Sequence, residues 1–267
     1  MPVQEAPIED RVTVTIDGPV AEVRLARPDK INALDPAMFS ALGAAIDSFA
    51  DRRDVRCIVL SGEGRGFCAG LDMASMAAGG AGLSATGRTA DGAILPQHVA
   101  WGWRMLPVPV IAAVHGVAFG GGLQIMSGAD IRIAAPDTRF AIRETHWGLV
   151  PDMAGFALWR GLMRDDVLRE LVYTAREFDA AEALATGFVT RLADDPHAEA
   201  LALARVVAGR SPHAIRAAKR LANLAHDAEP RAILAAETAE QMALLGTPNM
   251  MEAVAANLAR RPPTFDD

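Results

Sequence analysis

Along the first third of the chain, apolar and polar positions change period in a readable way. Val12, Val14 and Ile16 are separated by threonines, Asp17-Gly18 forms a turn pair, and Ala21, Val23 and Leu25 resume the alternation around Glu22 and Arg24. A period of two interrupted by such a pair predicts a β-hairpin with its apolar face inward. The period then lengthens: Met38, Leu42, Ala45, Ile46 and Phe49 recur at helical spacing behind Asp35, a good N-cap, which predicts a helix over residues 36–50. Val55 to Leu60 is a mostly apolar run, read as a buried strand that ends in the turn 61–66. Strand, turn and helix return over residues 109–126, and a weaker strand is expected over 131–135. Alternating strands and helices make an α/β protein.

Residues 74–95 are rich in Ala, Gly, Ser and Thr, with Gly79-Gly80 and Gly82 inside. They read as a surface loop with some helix at its ends, a linker rather than a catalytic lid. From about residue 177 the pattern is helical, over 180–187, 196–208, 211–225, 230–245 and 249–260, with Ser211 capping and Pro212 in the first turn of the third. The expected organisation is a core over residues 1–200 and a helical region over 201–267.

Composition narrows the chemistry. At 267 residues and 51% apolar content the chain is long enough for a substantial core. Its net charge of -7 argues against nucleic acid, and no polybasic membrane patch is present. Residues 105–129 carry no Asp, Glu, Lys or Arg, yet Pro107, Pro109 and the glycines would leave backbone groups unpaired in lipid, so no membrane span is expected. The start of the chain lacks a basic segment followed by an apolar run, so no secretory signal is read and a cytoplasmic location is expected. Cys57 and Cys68 match no metal spacing and read as reduced thiols in or near the core. The six histidines show no paired ligand spacing, so no metal is expected. Lys30 and Lys219 are the only lysines, which leaves few options for a Schiff base.

Several glycine motifs fail. Gly62-Glu63-Gly64 follows a strand, but the third glycine of a dinucleotide fingerprint would fall at Phe67. No Gly-Lys-Ser/Thr follows a glycine run, and Gly82 to Gly87 misses the nucleophile-elbow spacing by one residue. Two turns remain, Ala69-Gly70-Leu71-Asp72 and Gly120-Gly121-Gly122, each after a buried strand and each able to present backbone N–H groups. Two converging N–H donors make an oxyanion hole.

The run Arg65 to Met73, followed by His115-Gly116 through Gly122, resembles the crotonase (enoyl-CoA hydratase/isomerase) superfamily. The resemblance extends through Arg27 to Leu34, Glu144 to Gly155 and Arg260 to Phe265, and so covers nearly the whole chain. It implies a spiral of ββα turns with C-terminal helices that mediate trimerisation, often as a dimer of trimers, and an acyl-CoA thioester as ligand. It also implies that the N–H groups of Leu71 and Gly121 hold the thioester oxygen. The coenzyme A groove would be lined by Lys30, Ile31, Ala33, Ala69, Gly70, Asp72, Met73 and Gly120, with Arg27 and Lys30 near phosphates. No cofactor is implied beyond the coenzyme A of the substrate itself.

Hydratases of the superfamily use two glutamates, and here the first of those positions holds Gln124 and the second Glu144. An amide does not exchange a proton at neutral pH, so two-acid hydration is disfavoured. Isomerases manage with one glutamate at the place of Glu144. Asp152 stands eight residues later, where dienoyl-CoA isomerases of the superfamily carry a second acid, although those enzymes also have an aspartate where Gln124 stands. The expectation is a double-bond isomerase acting on an acyl-CoA, with Glu144 as base, Asp152 as second acid and Gln124 in support. An enoyl-CoA hydratase is the main alternative, and a non-catalytic acyl-CoA-binding protein the second. Asp152 is also readable as a turn residue after Pro151, His146 as a packing or capping residue, and Trp101 and Trp103 as core rather than tunnel lining.

Overall fold

The computed structural model describes residues 2–4, 7–77 and 87–267. Val3–Gln4 (β1), Val12–Asp17 (β2) and Val20–Leu25 (β3) form an antiparallel edge, with Val14 opposite Val23 in the hairpin. Pro36–Phe49 (α1) follows, and the Asp35 carboxylate accepts from the Met38 N–H as its cap. Cys57–Gly62 (β4) then runs parallel to β3. This strand starts two residues later than the apolar run predicts and continues through Ser61 and Gly62, whose turn-like composition is overridden by pairing with Arg24 and Leu25.

Met73–Ala77 (α2) and Leu95–Met105 (α3) flank the Ala/Gly-rich segment. Its centre, with Gly79, Gly80 and Gly82, lies outside the described residues. Val110–Val114 (β5), Val117–Phe119 (β6) and Gly121–Ser127 (α4) realise the strand-turn-helix expected over 109–126, and Ile131–Ala134 (β7) the weaker strand. Arg139–Ala141 (β8), Gly155–Trp159 (α5), Asp165–Thr174 (α6) and Glu177–Asp179 (β9) were not anticipated. The C-terminal part is Ala180–Thr186 (α7), Arg191–Leu192 (β10), Pro196–Ala208 (α8), Pro212–Ala225 (α9), Pro230–Leu244 (α10) and Pro248–Leu258 (α11). Asp179, Asp195 and Thr247 cap their helices through side-chain oxygens, whereas Ser211 makes no such bond.

The larger sheet has the order β1-β2-β3-β4-β5-β7-β10, and β6, β8 and β9 form a second, smaller one. From β3 onward the larger sheet is parallel. Its central strands are covered on both faces, which explains their near-continuous apolar runs. Ile58, Leu60, Val110, Ala112 and Val114 face the main core with α1 and α3, while Cys57, Val59, Ile111 and Ala113 pack under Ala200, Ala204 and Ala208 of α8. The two cysteines are free and buried, and burial pushes both thiols up to about 12, so they behave as small apolar groups. Among the described residues, no helix is long and apolar enough to cross a membrane and no cluster has the make-up of a metal site.

Candidate active site

The two glycine turns meet because the segments leading into them pair. Cys68 bridges Ala118 in parallel, with the Cys68 N–H donating to Val117 O at 3.0 Å and the Phe119 N–H to Cys68 O at 3.0 Å. Two residues beyond this ladder lie Gly70-Leu71 on one side and Gly120-Gly121 on the other. At Gly70, φ is +88° and a Cβ would sit 2.7 Å from Phe119 O and 3.7 Å from Gly121 N, so only glycine lets the turns touch. Gly120, at φ 49° and ψ -117°, makes the sharp entry into α4.

The donors follow from this geometry. Leu34 binds Gly70 O and Asp72 N–H from one side, at 2.8 and 2.9 Å, which turns the intervening Leu71 N–H away from that ladder. Gly121 is the first residue of α4, where a helix leaves its N–H groups unpaired. Neither N–H has a protein partner among the described residues.

Buried Asn32 holds the loop behind the first turn. Its Nδ2 donates to the carbonyls of Glu63, Gly66 and Phe67 at 3.0 to 3.1 Å, and its Oδ1 accepts from the Arg27 N–H at 2.8 Å. Asn32 falls inside the segment 30–33 that the resemblance assigns to the coenzyme A groove, and in the structure its side chain supports the loop behind the first turn.

A cavity of about 270 Å³ opens at the junction. Of the residues singled out from sequence, Ala69, Gly70, Leu71, Met73, Gly120, Gly121, Glu144 and Asp152 line it. Phe119, Arg143, Trp147, Leu149, Val150 and Met153 complete its walls, and none of these six was named from the sequence as a site residue. Gln124 stands behind the wall, fully buried. Lys30, Ile31, Ala33 and Asp72 lie outside the cavity: Ile31 O accepts from Ala69 N–H, Lys30 is exposed, and Asp72 caps α2 through the Ala74 N–H while pairing with Arg27 at 2.7 Å. That pairing, together with Arg27 Nη1 donating to Ala33 O, engages Arg27 internally. Trp103 is buried in the core and Trp101 packs partly buried against it, neither lining this cavity. His146 is solvent-exposed and meets Trp147 edge-on at 5.0 Å between ring centroids.

Glu144 begins a short 3₁₀ turn, Glu144–Trp147. Its Oε1 accepts from Gln124 Nε2 at 2.6 Å, while its buried Oε2 has no hydrogen-bond partner. The Gln124 amide is fully oriented, since its Oε1 accepts from the N–H groups of Met153 and Gly155, both at 2.9 Å. Burial pushes the Glu144 carboxyl above the usual glutamate range, and the Asp152 charge adds to the rise. Asp152 is exposed at the cavity wall, and partial desolvation raises its carboxyl as well. Arg143 places its guanidinium 4.8 Å from the centroid of the Phe119 ring and pairs with Glu177 on β9. Two unpaired N–H donors, a carboxylate with a free oxygen and a second acid therefore share one mostly apolar cavity. That combination is suited to stabilising an oxyanion while a proton moves.

Comparison with known proteins identifies the family and the fold. A family model described as enoyl-CoA hydratase/isomerase matches residues 15–267. The mitochondrial Delta(3,5)-Delta(2,4)-dienoyl-CoA isomerase of Mus musculus is 30% identical over 260 residues, covering 91% of this chain and 77% of that protein. A carnitinyl-CoA dehydratase of Salmonella arizonae is 33% identical over 226 residues, 82% of this chain and 83% of its own. Among solved structures, a putative enoyl-CoA hydratase from Streptomyces coelicolor A3(2) superposes with a TM-score of 0.87 at 32% identity, covering 98% of this chain and 96% of that one. The α/β spiral with its C-terminal helices is thus the crotonase fold, and the chain belongs to the enoyl-CoA hydratase/isomerase family of enzymes.

Proposed function

We propose that this enzyme moves a carbon-carbon double bond in a fatty acyl-CoA thioester, with a dienoyl-CoA as the substrate that uses both acids. The Leu71 and Gly121 N–H groups bind the thioester oxygen. Glu144 removes a proton from the acyl chain, and the electron pair spreads through the conjugated system onto that oxygen. Asp152 takes up a proton from solvent and delivers it to the far carbon. The product has the substrate's composition, and both carboxyls return to their starting states by exchange with solvent, which Asp152 reaches directly. Each N–H donor contributes on the order of 3 kcal/mol to lowering the barrier. No separate cofactor enters.

The observation that carries this reading is the state of position 124. An amide stands there, its oxygen held by two backbone N–H groups and its Nε2 on Glu144, so it positions the base and moves no proton. That leaves Glu144 and Asp152 as the carboxyls of the cavity. The coenzyme A portion is assigned to the groove formed by Lys30, Ile31, Ala33, Ala69, Gly70, Asp72, Met73 and Gly120, and the location to the cytoplasm. Residues 201–267 are assigned to homotrimer contacts. Leu234, Met242, Leu245, Met251, Val254 and Leu258 expose apolar side chains on α10, α11 and the turn between them, which supports that role.

Purified enzyme incubated with 2-enoyl-, 3-enoyl- and 3,5-dienoyl-CoA should rearrange the last two and hydrate the first slowly. Fast hydration of 2-enoyl-CoA with inertness toward the others assigns a hydratase instead. The pH profile gives a second test. The Glu144 base is present above its raised pKa and lost as the pH falls through it, so the acid limb of kcat/KM should lie above the ordinary glutamate value of about 4.3. Asp152→Asn removes a neighbouring negative charge and should move that limb to lower pH while slowing dienoyl turnover. A limb that stays in place or rises contradicts the assignment.

A further inference from the structure

The side of α9 that faces the end of α3 is cationic. Arg216, Lys219, Arg220 and Asn223 follow the spacing i, i+3, i+4 and i+7, which puts them on one face of the helix. Across from them stand Trp101, Arg104 and Met105 of α3, with Leu106 and Pro107 just after it. A cavity of about 580 Å³ lies between the two elements and shares no residue with the candidate active site. That volume falls in the range of small-molecule sites.

The acids at this cavity are already engaged. Asp130 Oδ2 accepts from Lys219 Nζ at 2.8 Å, Glu240 holds Arg220 through two bonds of 2.7 and 2.6 Å, and Asp227 pairs with Arg160, which lies outside the cavity. Two guanidiniums remain. Arg104 makes no side-chain hydrogen bond and no ion pair among the described residues, and its guanidinium lies 6.0 Å from the Trp101 ring centroid, the outer limit of a cation–π contact. Burial lowers the pKa of Lys219 and of Arg132, and the Arg104 charge lowers both further. Arg216 meets only carbonyls, its Nη2 donating to Arg53 O at 2.8 Å and Val55 O at 3.4 Å. Burial pulls its pKa down, and the charges of Arg53, Arg56 and Arg220 add to that against Asp267. Two cations without a carboxylate, lining one cavity, make a positive potential that an oxyanion relieves.

The rest of the wall is apolar. Trp101, Met105, Leu106, Pro107 and Leu224 supply it, and Met105 and Leu224 are 49% and 38% exposed. A bare inorganic anion leaves this surface in water, whereas an apolar body joined to the anion covers it. Asn223 Nδ2 donates to Arg104 O at 3.0 Å and so fixes the backbone from which Arg104 projects.

We propose that the cleft between α3 and α9 binds an amphiphilic oxyanion, a carboxylate or phosphate head on an apolar body. Arg104 and Arg216 hold the head, and Trp101, Met105 and Leu224 pack against the body. The site is independent of the double-bond chemistry.

Calorimetric titration of the full chain tests this, with the candidate active site first filled by a non-reacting acyl-CoA thioester. Decanoate is the first ligand, decyl phosphate the second and inorganic phosphate the third. Saturable binding of decanoate at one site per chain assigns a carboxylate head, and binding confined to decyl phosphate assigns a phosphate head. In either case Arg104→Met should weaken the affinity roughly tenfold or more, the value of a hydrogen bond to a charged group, and Arg216→Met similarly. Arg104 has no partner in the folded chain, so Arg104→Met breaks no contact of the fold and should turn over acyl-CoA at the unaltered rate. No saturable binding of either decyl ligand, inorganic phosphate binding as tightly as they do, or an affinity unaltered by Arg104→Met overturns the proposal.

Discussion

Glu144→Gln should lower kcat by about 10²–10⁴-fold, the contribution of a positioned general base, with KM nearly unchanged. The substitution isolates proton transfer because it preserves shape. Gln124 Nε2 donates to Oε1 of residue 144 at 2.6 Å, and a glutamine carbonyl accepts the same bond. The N–H groups of Met153 and Gly155 that hold Gln124 are untouched, so the cavity wall stays in place. Leu71 and Gly121 still offer their donors, and binding of the thioester should persist. The change removes only a titratable oxygen, because an amide does not take up a proton at neutral pH. Steady-state kinetics on a dienoyl-CoA, with calorimetric binding of a non-reacting thioester, makes the comparison. A wild-type chain that binds acyl-CoA but turns over no member of the substrate panel would instead identify a binding protein, and turnover retained by the variant would remove Glu144 from the base role.

The largest stability effect is expected far from that cavity. Lys219 on α9 is 5% exposed, and its Nζ donates to Trp103 O at 3.1 Å, Val108 O at 2.8 Å and Asp130 Oδ2 at 2.8 Å. It therefore ties the first of the last three helices to the end of α3, to the loop before β5 and to the loop before β7. Burial pulls the ammonium pKa down, against which Asp130 acts. Lys219→Met fills similar volume but takes this donor from the Trp103 and Val108 carbonyls and leaves Asp130 Oδ2 with the Val110 N–H, at 2.7 Å, in place of the cation. Breaking a buried pair from one side costs about 3–5 kcal/mol, and the partial exposure of Asp130 favours the lower end of that range. At this chain length such a loss lowers Tm by on the order of 10 °C. Urea unfolding followed by circular dichroism should register it, and a loss under 1 kcal/mol would mean that water replaces the ammonium. Asp130→Asn in the Lys219→Met background should recover part of the loss by removing the stranded charge.

Elements that announce themselves by local periodicity are legible in the sequence. The β2-β3 hairpin, α1 behind its Asp35 cap, and helices α8 to α11 fall within a residue or two of the expected bounds, because period and capping are properties of neighbouring residues. Both glycine turns are legible too, since positive φ and close backbone approach leave a mark in composition. The unanticipated strands β8 and β9 are three residues each, too short to display a period, and Phe140 faces Phe178 only because the second sheet brings them together. Helix α3 is obscured by the Ala/Gly-rich segment before it, although its Trp103 is buried in the core as its residue type suggests.

The site divides in the same way. Residue types nominated the two glycine turns, and the resemblance to the crotonase superfamily nominated Leu71, Gly121, Glu144, Asp152 and the amide at 124 within and around them. That the two turns touch was decided by the pairing of Cys68 with Ala118, 50 positions apart. That Gln124 is a fixed support was decided by N–H groups 29 and 31 residues further along the chain. Short-range periodicity thus determined the α/β fold class, while the family and the candidate chemistry came from motifs that resemble the crotonase superfamily. Only the tertiary structure decided which donors remain unpaired, which carboxyl is desolvated and which walls enclose them, because those properties belong to groups joined by folding and not by sequence.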